Sequence, residues 1–270
     1  MPCYNAAPSQ MREALNSVAA QEGDVRGRVH TVVVDDGSTS SATRDFLSSV
    51  ASPTVTVLFQ ENAGPAAARN TAIRASAARY VLPLDADDLI SPNYLTAAVA
   101  VLEAAPSAAI AHSDIQFIGD STVLKVAEQE LTVSDFFSGN RIVCTALFRR
   151  SDWDRLGGYD ESMRTGFEDY EFWVRLLMNG SMSVKADGSL FLYRSQPGSR
   201  STQADEARAL AHTRERILTN NAEHLDVLVR AGWEAVGRES ARVEALRAVL
   251  REGRMARLRR MVRRHEPTSA

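Results

Sequence analysis

Short apolar segments and amphipathic segments alternate through the first 118 residues of the chain. Segment 29–34 contains three consecutive valines, Val32, Val33 and Val34, and two acidic residues follow directly. Strands buried on both faces of a parallel sheet have such uninterrupted apolar runs. Their alternation with helices predicts an α/β fold, an open and mostly parallel sheet flanked by helices. We expect strands at 29–34, 55–59, 80–84 and 108–118, and helices at 9–21, 43–50, 65–77 and 91–104.

The sequence also predicts where two helices begin and, less regularly, the elements of the second half of the chain. Ser9 is expected to cap the first helix, and Ser91 the fourth, with Pro92 at its first position. Beyond residue 119 the alternation loosens. We expect strands at 141–148 and 189–194, and helices at 167–179, 205–220 and 234–264, the last broken at Gly253.

Composition narrows the classes of function. The 270 residues carry a formal net charge of −3, which does not indicate a nucleic-acid binder. No apolar run approaches the roughly 20 residues of a membrane-spanning helix, and the N-terminus lacks the pattern of a signal peptide. The two cysteines, Cys3 and Cys144, are typical of reduced thiols. These features predict a soluble, cytoplasmic protein.

Acidic clusters follow two of the predicted strands. Asp35 and Asp36 end the first, and Asp85, Asp87 and Asp88 follow the strand at 80–84. In open α/β sheets, ligands bind at the carboxyl ends of strands. Carboxylates this close repel one another, and a hard divalent cation relieves the repulsion. The alternative is a polar turn and a helix cap at each place, although two such clusters in one sheet favour a binding site.

A third acidic segment opens the helix at 167–179. At about 100° per residue, Asp169 shares a face with Phe172 and Trp173, whereas Glu171 and Arg175 fall on the opposite side. Acidic residues in a first turn are also favoured by the helix dipole, which is the simpler explanation. A carboxylate on an apolar face is costly to bury without a partner, so we expect Asp169 to line a cleft and act as a general base.

Two basic features remain open at this stage. Arg69 follows Gly64 at the start of the helix at 65–77, where it could contact a nucleotide or a structural carboxylate. Between Arg238 and Glu266 there are ten Arg and four Glu, with apolar residues at helical spacing. This pattern is typical of a helix packed on its own domain, and the alternative is contact with an anionic membrane or a partner.

Taken together, five motifs in this order resemble glycosyltransferase family 2 over roughly residues 1–200. The motifs are Pro2-Cys3-Tyr4-Asn5, Asp35-Asp36-Gly37-Ser38, Gly64 with Ala68-Arg69-Asn70, Leu84-Asp85-Ala86-Asp87-Asp88 and Glu168-Asp169. The resemblance implies a glycosyltransferase-A fold and an inverting transfer from a nucleoside-diphosphate sugar, with UDP the expected nucleotide. It further implies a nucleotide-sugar-binding half at 1–118, an acceptor-binding half of the same domain at 119–202 and a helical C-terminal extension at 203–270.

The resemblance also implies roles for individual residues. The base and ribose of the donor would be held by Pro2, Tyr4, Asp36 and Arg69. Asp85 would contact the ribose or diphosphate, and Asp87 would coordinate Mn²⁺ or Mg²⁺. Asp169 would be the catalytic base, with Glu168 assisting beside the acceptor. The acceptor would be a saccharide or a lipid-linked sugar in cell-surface polysaccharide or glycolipid synthesis, reached by peripheral membrane contact through the basic C-terminal helix.

The chain departs from the family pattern at two places. Relatives carry a β-strand directly before the Pro-x-Tyr-Asn motif, which here starts at Pro2. We expect that strand to have been lost, or Met1 to be an internal methionine. Nucleotide binding as tight as that of an N-terminally extended chain would contradict this expectation. The second departure is Gln196, which stands where many relatives have His.

Two other functions compete with a glycosyltransferase. A phosphatase of the haloacid dehalogenase type also places Asp-x-Asp after a strand, but after its first strand and with a supporting lysine. Here the motif follows at least two βα units, and Lys125 and Lys185 are the only lysines. The other alternative is a non-catalytic or decayed nucleotide-sugar binder that lacks the first strand. The presence of both Asp87 and Asp169 argues against it.

Overall fold

The computed structural model describes residues 1–164, 166–195 and 203–263, with the backbone alone for 203–206, 246 and 248–263. Gln196 therefore lies outside the described residues. The strands are β1 (Pro2–Cys3), β2 (Thr31–Asp36), β3 (Val55–Gln60), β4 (Tyr80–Val81), β5 (Leu89–Ile90), β6 (Ala108–Gly119), β7 (Leu124–Lys125), β8 (Glu130–Leu131), β9 (Leu147–Arg149) and β10 (Met182–Ser195). The α-helices are α1 (Pro8–Ala19), α2 (Ser41–Val50), α3 (Pro65–Arg74), α4 (Tyr94–Ala104), α5 (Arg150–Leu156), α6 (Glu168–Leu177), α7 (Gln203–Asn220) and α8 (Leu225–Arg263).

The first sheet has the predicted parallel form. Its three strands lie in the order β1-β2-β3, and both pairs are parallel. Every residue of β2 after Thr31 is buried, as expected for a central strand with an uninterrupted apolar run. The backbone of Met1 extends the pairing, since its nitrogen donates to the Val32 carbonyl at 2.8 Å. The Pro-x-Tyr-Asn motif thus starts at the carboxyl edge of this sheet.

The second sheet corrects the prediction of one mostly parallel sheet. Its main path is β4-β9-β6-β10-β5, with β7 on β6 and β8 on β10. Only β6 and β10 run parallel, and the other pairs are antiparallel. The chain beyond residue 119 returns through short hairpin-like segments, which add antiparallel strands without crossover helices. The α/β class holds, but the sheet is mixed.

Several predicted element boundaries were wrong. Helix α1 begins at Pro8, after Ala7, so that Ser9 lies inside the first turn. The fourth helix begins at Tyr94, because the Ser91 hydroxyl accepts a bond from the Leu190 backbone and donates to Asn93. The strand expected at 80–84 ends at residue 81, and that expected at 141–148 begins at 147. Helix α8 continues through residue 253, where a glycine costs only about 1 kcal/mol relative to alanine.

Helix α6 is held on both sides. On its predicted apolar face, Phe172 and Trp173 are fully buried and pack edge-to-face against Phe148 of β9. The same core includes Ile217 of α7 and Leu228 of α8, so both C-terminal helices share apolar packing with α6. Among the described residues, no helix is long and apolar enough to cross a lipid bilayer.

The opposite side of α6 is buried as well, around an ion pair. Arg175 donates to both carboxylate oxygens of Glu171, at 2.6 and 2.7 Å, and Glu171 is completely buried. The same guanidinium donates to the carbonyls of Leu156 and Gly158, at 2.9 and 2.8 Å. Asn220 of α7 adds a bond to Glu171 at 2.9 Å. This network fixes α6 against the end of α5 and against α7.

Replacing Glu171 by alanine should destabilise the fold strongly, because it leaves the Arg175 charge buried without its partner. We expect a loss of about 3–5 kcal/mol in the free energy of unfolding, measured by urea denaturation. The matched control is Glu244→Ala, which removes an exposed pair with Arg247 on α8 and should change stability little. Equal effects of the two substitutions would contradict the structural role of the buried pair.

Candidate active site

One cavity of about 1070 Å³ opens at the carboxyl edge of the first sheet. It lies between the start of the chain, the turn after β4, the segment 140–144 and the start of α6. Segments far apart in the sequence thus come together here. All of the residues selected from the sequence line it: Pro2, Tyr4, Asp36, Arg69, Asp85, Asp87, Glu168 and Asp169.

Both carboxylate oxygens of Asp36 accept hydrogen bonds from other residues of the protein. Its Oδ1 accepts from the Gln60 side chain at 2.7 Å and from the Ala63 backbone at 2.8 Å, and its Oδ2 accepts from the Gly64 backbone at 2.9 Å. Gly64 has φ +92° and precedes Pro65, the first residue of α3. The bonds from Asp36 therefore fix the point where α3 begins, and with it the position of Arg69.

The motif after β1 is tied to the Asp-Asp-Gly-Ser turn. Asn5, held at φ +51°, accepts at its side-chain oxygen from the backbone of Thr39 and Ser40, at 2.8 and 2.9 Å. Its backbone donates to the Ser38 hydroxyl at 2.8 Å. The neighbouring Tyr4 is 55% exposed and lies at the cavity wall. A rigid turn thus presents an exposed aromatic ring to the cavity.

Arg69 joins the two acidic sides of the cavity. Its side chain is 5% exposed, and its guanidinium binds Asp85 at 2.8 Å and also Glu168. The Tyr159 ring lies 5.9 Å from the guanidinium carbon, at cation–π distance. The sequence left open whether Arg69 contacts a nucleotide or a structural carboxylate, and in the structure it binds carboxylates. A contact to a nucleotide stays a prediction.

The three aspartates after β4 have different surroundings. Burial would raise the pKa of Asp85, but the adjacent Arg69 guanidinium outweighs it and the pKa is lowered. Burial raises the pKa of Asp87, and the Asp85 carboxylate adds to the rise. Burial also raises the pKa of Asp88, to about 8, although its carboxylate accepts a bond from the Arg194 backbone at 2.7 Å.

Asp87 fits a divalent cation better than its neighbours do. The hydrogen bond that acts on the Asp87 carboxylate comes from its own backbone, and Arg194 acts on it through its charge, whereas the Asp85 carboxylate is bound by the side chains of Arg69 and Cys144. A cation would offset the repulsion that raises the pKa of Asp87, and carboxylate oxygen is the ligand that Mg²⁺ and Mn²⁺ prefer. No cluster of three or more His, Cys, Asp or Glu arranged for metal binding occurs among the described residues.

Asp169 lies at the cavity edge of α6, as predicted. Its Oδ2 accepts from the Asn140 side chain at 3.0 Å, and its Oδ1 from the Tyr170 backbone at 2.8 Å. Burial raises the pKa of Asp169 to about 7, Glu168 adds to the rise and Arg69 opposes it. The helix dipole alone would predict a carboxylate ionised well below neutrality, so burial outweighs it here. A base with a pKa near 7 is matched to proton transfer at neutral pH.

The residue before α6 adopts a strained backbone. Phe167 has φ +63°, a left-handed conformation that is uncommon for a bulky residue. Among the described residues the only other non-glycine with a positive φ is Asn5, and both line the cavity. Backbone strain concentrates at functional sites, where the surrounding structure holds it in place.

Sequence reasoning missed several cavity residues. Asn140 orients Asp169, Cys144 donates to Asp85 at 3.4 Å, and the Arg164 guanidinium lies beside Asn62, donating to its carbonyl at 2.8 Å. Lys125 and Arg141 also line the cavity. Lys125 lies in the two-residue strand β7, and the others lie in irregular segments with no periodic pattern around them. Their only signal in the sequence is polarity, which loops share everywhere.

The arrangement provides three chemical capacities in one space. The cavity is lined by the exposed Tyr4 ring, by the Asp87 carboxylate, which suits a cation, and by the Asp169 carboxylate, whose pKa is raised to about 7. Arg69 joins the two segments that carry these carboxylates, because it binds Asp85 and Glu168. Such a cavity can hold an anionic ligand through a cation and can remove a proton from a second reactant beside it.

Comparisons with known proteins confirm the family resemblance. The sequence model of the family described as "Glycosyl transferase family 2" matches residues 1–157. The succinoglycan biosynthesis protein ExoU of Rhizobium meliloti is 31% identical over 196 residues, which are 66% of this chain and 55% of ExoU. ExoO of the same organism is 28% identical over 213 residues, 73% of this chain and 60% of ExoO. This chain therefore spans less than two thirds of the length of these relatives.

A solved structure shares the fold. The crystal structure of Staphylococcus aureus TarS residues 1–349 in complex with UDP-GlcNAc superposes with a TM-score of 0.63, at 22% identity. The match covers 80% of this chain and 65% of that one. This likeness shows the fold, which is of the glycosyltransferase-A type.

Replacing Asp169 by asparagine should stabilise the protein progressively as the pH rises. The carboxylate titrates near 3.9 in an unfolded chain and at about 7 in the fold. Its contribution to stability is therefore fully present below about pH 4 and is lost as the pH rises through 7. We expect the difference in urea midpoint between Asp169→Asn and the unmodified chain to grow in favour of the variant between about pH 5 and pH 8.

The control for this pH series is Asp45→Asn, at an exposed position of α2 outside the cavity. Its difference in midpoint from the unmodified chain should stay constant over the same interval. A constant difference for Asp169→Asn as well would refute the raised pKa.

Proposed function

The chain belongs to glycosyltransferase family 2, and we propose on that basis that it transfers a sugar from a nucleoside diphosphate to an acceptor hydroxyl, with inversion. The observation that carries the proposal is the pairing of Arg69 with both Asp85 and Glu168, which joins the proposed donor side and the proposed base side of one cavity. UDP is the proposed nucleotide, supported by the shared fold with TarS, which was crystallised with UDP-GlcNAc.

The nucleotide would lie along the first sheet. Tyr4 offers an exposed ring for the base, and Pro2 continues that wall. Asp36 and Arg69 stay proposed contacts to base and ribose, but both are already bonded to the chain. Their larger effect would therefore be to hold the wall of the nucleotide site in place, with little capacity left for the ligand.

The diphosphate would lie at the turn after β4. Asp87 would hold the Mn²⁺ or Mg²⁺, and Asp85 would lie beside the ribose or diphosphate. The cation, when bound, would supply positive charge that stabilises the departing nucleoside diphosphate. Arg194 donates to the Asp87 carbonyl at 2.8 Å, and its backbone nitrogen binds Asp88. These two bonds hold the turn so that the Asp87 carboxylate can face the cavity.

The transfer itself would take place between Asp169 and the donor. The acceptor oxygen forms a bond to the anomeric carbon as the bond from that carbon to the diphosphate breaks. Asp169 takes the hydroxyl proton, and the bond electrons leave with the diphosphate. Attack from the side opposite the leaving group inverts the anomeric centre. Asn140 fixes one carboxylate oxygen of Asp169, while Glu168, bound to Arg69, would position the acceptor side.

The acceptor is proposed to be a saccharide or a lipid-linked sugar. The succinoglycan biosynthesis proteins among the relatives support a role in cell-surface polysaccharide synthesis. Peripheral membrane contact through the Arg-rich end of α8 stays a proposal too, based on its sequence. The alternative hypothesis is a nucleotide-sugar binder without activity, and it differs from the proposed function in that it predicts no sugar transfer.

Nucleotide binding should depend on a divalent cation through Asp87. We expect the thermal midpoint to rise with UDP and Mn²⁺, and less with UDP alone, when UDP, GDP, TDP and CMP are compared. A ligand at one hundred times its dissociation constant adds about 2.7 kcal/mol of stability. Asp87→Asn should lose the Mn²⁺-dependent part of the rise, and Asp45→Asn should keep it. A metal-dependent rise retained in Asp87→Asn would refute the cation site.

Transfer should depend on Asp169. With UDP-sugars as donors and product formation as the readout, Asp169→Asn should lower the rate by about 10²–10⁴-fold, because it removes a general base. Nucleotide binding by the variant should stay within about twofold. Transfer by Asp169→Asn at the unmodified rate would exclude it as the base. Nucleotide binding without transfer by the unmodified chain, over a panel of donors and saccharide acceptors, would favour the binder.

A further inference from the structure

The surface formed by α7, α8 and the 3-10 helix Val133–Ser138 exposes an unusual amount of apolar side chain. Its members, 42–73% exposed, are called here the α8 patch: Phe137, Leu218, Leu225, Val229, Trp233 and Val236. Single exposed apolar residues are ordinary, but a contiguous group marks a contact surface. Three of the six, Phe137, Leu218 and Val229, border one apolar groove of about 310 Å³.

The α8 residues of the patch form one stripe. At about 100° per residue, Leu225, Val229, Trp233 and Val236 fall within an arc of about 80°. Val243, 37% exposed, continues the same stripe two turns further on. The charged residues between positions 225 and 244 lie outside the arc: Asp226, Arg230, Glu234, Arg238, Glu239, Arg242 and Glu244. Over positions 225–244 this face is apolar and uncharged, and it stays exposed among the described residues, so it is available to a partner.

The patch adjoins the base side of the cavity. On α6, Tyr170 and Val174 line the groove, whereas Asp169 lines the cavity. Phe136 and Phe137 line the groove, and Asn140 lines the cavity three residues later. Arg238 of α8 binds the same 3-10 helix, at 3.0 Å to Asp135. A surface that seats on the patch therefore lies next to the side of the cavity that holds Asp169.

We propose that the α8 patch seats on an anionic lipid bilayer, with its apolar side chains, Trp233 among them, entering the interface. Interfacial helices combine an apolar face that carries Trp, Phe or Leu with basic residues. Tryptophan is enriched at the boundary between headgroups and acyl chains. The continuation of α8, residues 247–263, contains seven Arg and one Glu, a charge complementary to anionic lipid.

The same charge disfavours a second copy of the chain as the occupant. A dimer packed along the α8 stripes would contain two Arg-rich segments, and neither α8 helix has an acidic segment to neutralise their charge. An anionic bilayer neutralises these arginines and covers the apolar stripe at once. The proposal stands whether or not the cavity transfers a sugar.

Trp233 makes the test direct. The other two tryptophans, Trp153 and Trp173, are buried, so a change in emission on adding vesicles reports Trp233. We expect a blue shift and co-sedimentation of the full chain with phosphatidylcholine–phosphatidylglycerol vesicles. The double variant Val229→Ser/Val236→Ser should bind at least tenfold more weakly. Phe59→Ser, at an exposed apolar position of β3, is the matched control and should bind like the unmodified chain.

Three outcomes would overturn the proposal. The first is the absence of both a blue shift and co-sedimentation. The second is binding without a blue shift that 0.5 M salt abolishes, because it would assign the contact to the arginines alone. The third is a blue shift without vesicles that grows with protein concentration as the mass doubles, because it would assign the patch to a second copy. Far-UV circular dichroism of the variants excludes unfolding as the cause of weaker binding.

Discussion

The buried guanidinium of Arg69 is the interaction on which the rest of the site depends. It binds Asp85, which follows the fourth strand, and Glu168, which opens α6, two carboxylates 83 positions apart in the sequence. A buried charge is tolerated only when it is paired, and breaking such a pair costs about 3–5 kcal/mol. Breaking either ion pair with Arg69 is therefore costly, and this cost keeps the two halves of the cavity in their relative position.

Other contacts hold the two helices that carry Arg69 and Glu168 in position. Asp36 binds the amides that precede α3, so the helix that carries Arg69 starts at a fixed point. On the other side, the Glu171–Arg175 pair anchors α6, so that Glu168 meets the arginine. Three aspartates of the cavity that Arg69 does not bind, Asp87, Asp88 and Asp169, have raised pKa values. Asp87 and Asp169 are the two that are proposed to act on a ligand. A carboxylate whose pKa is raised in the fold lowers the free energy of unfolding at neutral pH.

Sequence reasoning succeeded where a local pattern sets the structure. The valine run predicted β2, and the helical spacing of Asp169, Phe172 and Trp173 predicted the aromatic face of α6 and a position for Asp169 in a cleft, although the opposite side of α6 is buried as well. It failed where distant contacts decide. The Ser91 hydroxyl bonds to Leu190, nearly a hundred residues away, and so does not cap a helix. The order of the second sheet depends on pairings between short strands that carry no distinctive sequence, and Asn140 reaches Asp169 from an irregular segment.

A double-mutant cycle between the two carboxylates tests the central role of Arg69 most directly. The unfolding free energies of Asp85→Asn, Glu168→Gln and the double variant would be measured by urea denaturation. Because the last carboxylate lost leaves the arginine buried without a partner, the double variant should be less stable than the sum of the single effects, by about 0.5–3 kcal/mol. The excess should vanish in an Arg69→Met background. Effects that add within about 0.5 kcal/mol in the unmodified background would contradict the account.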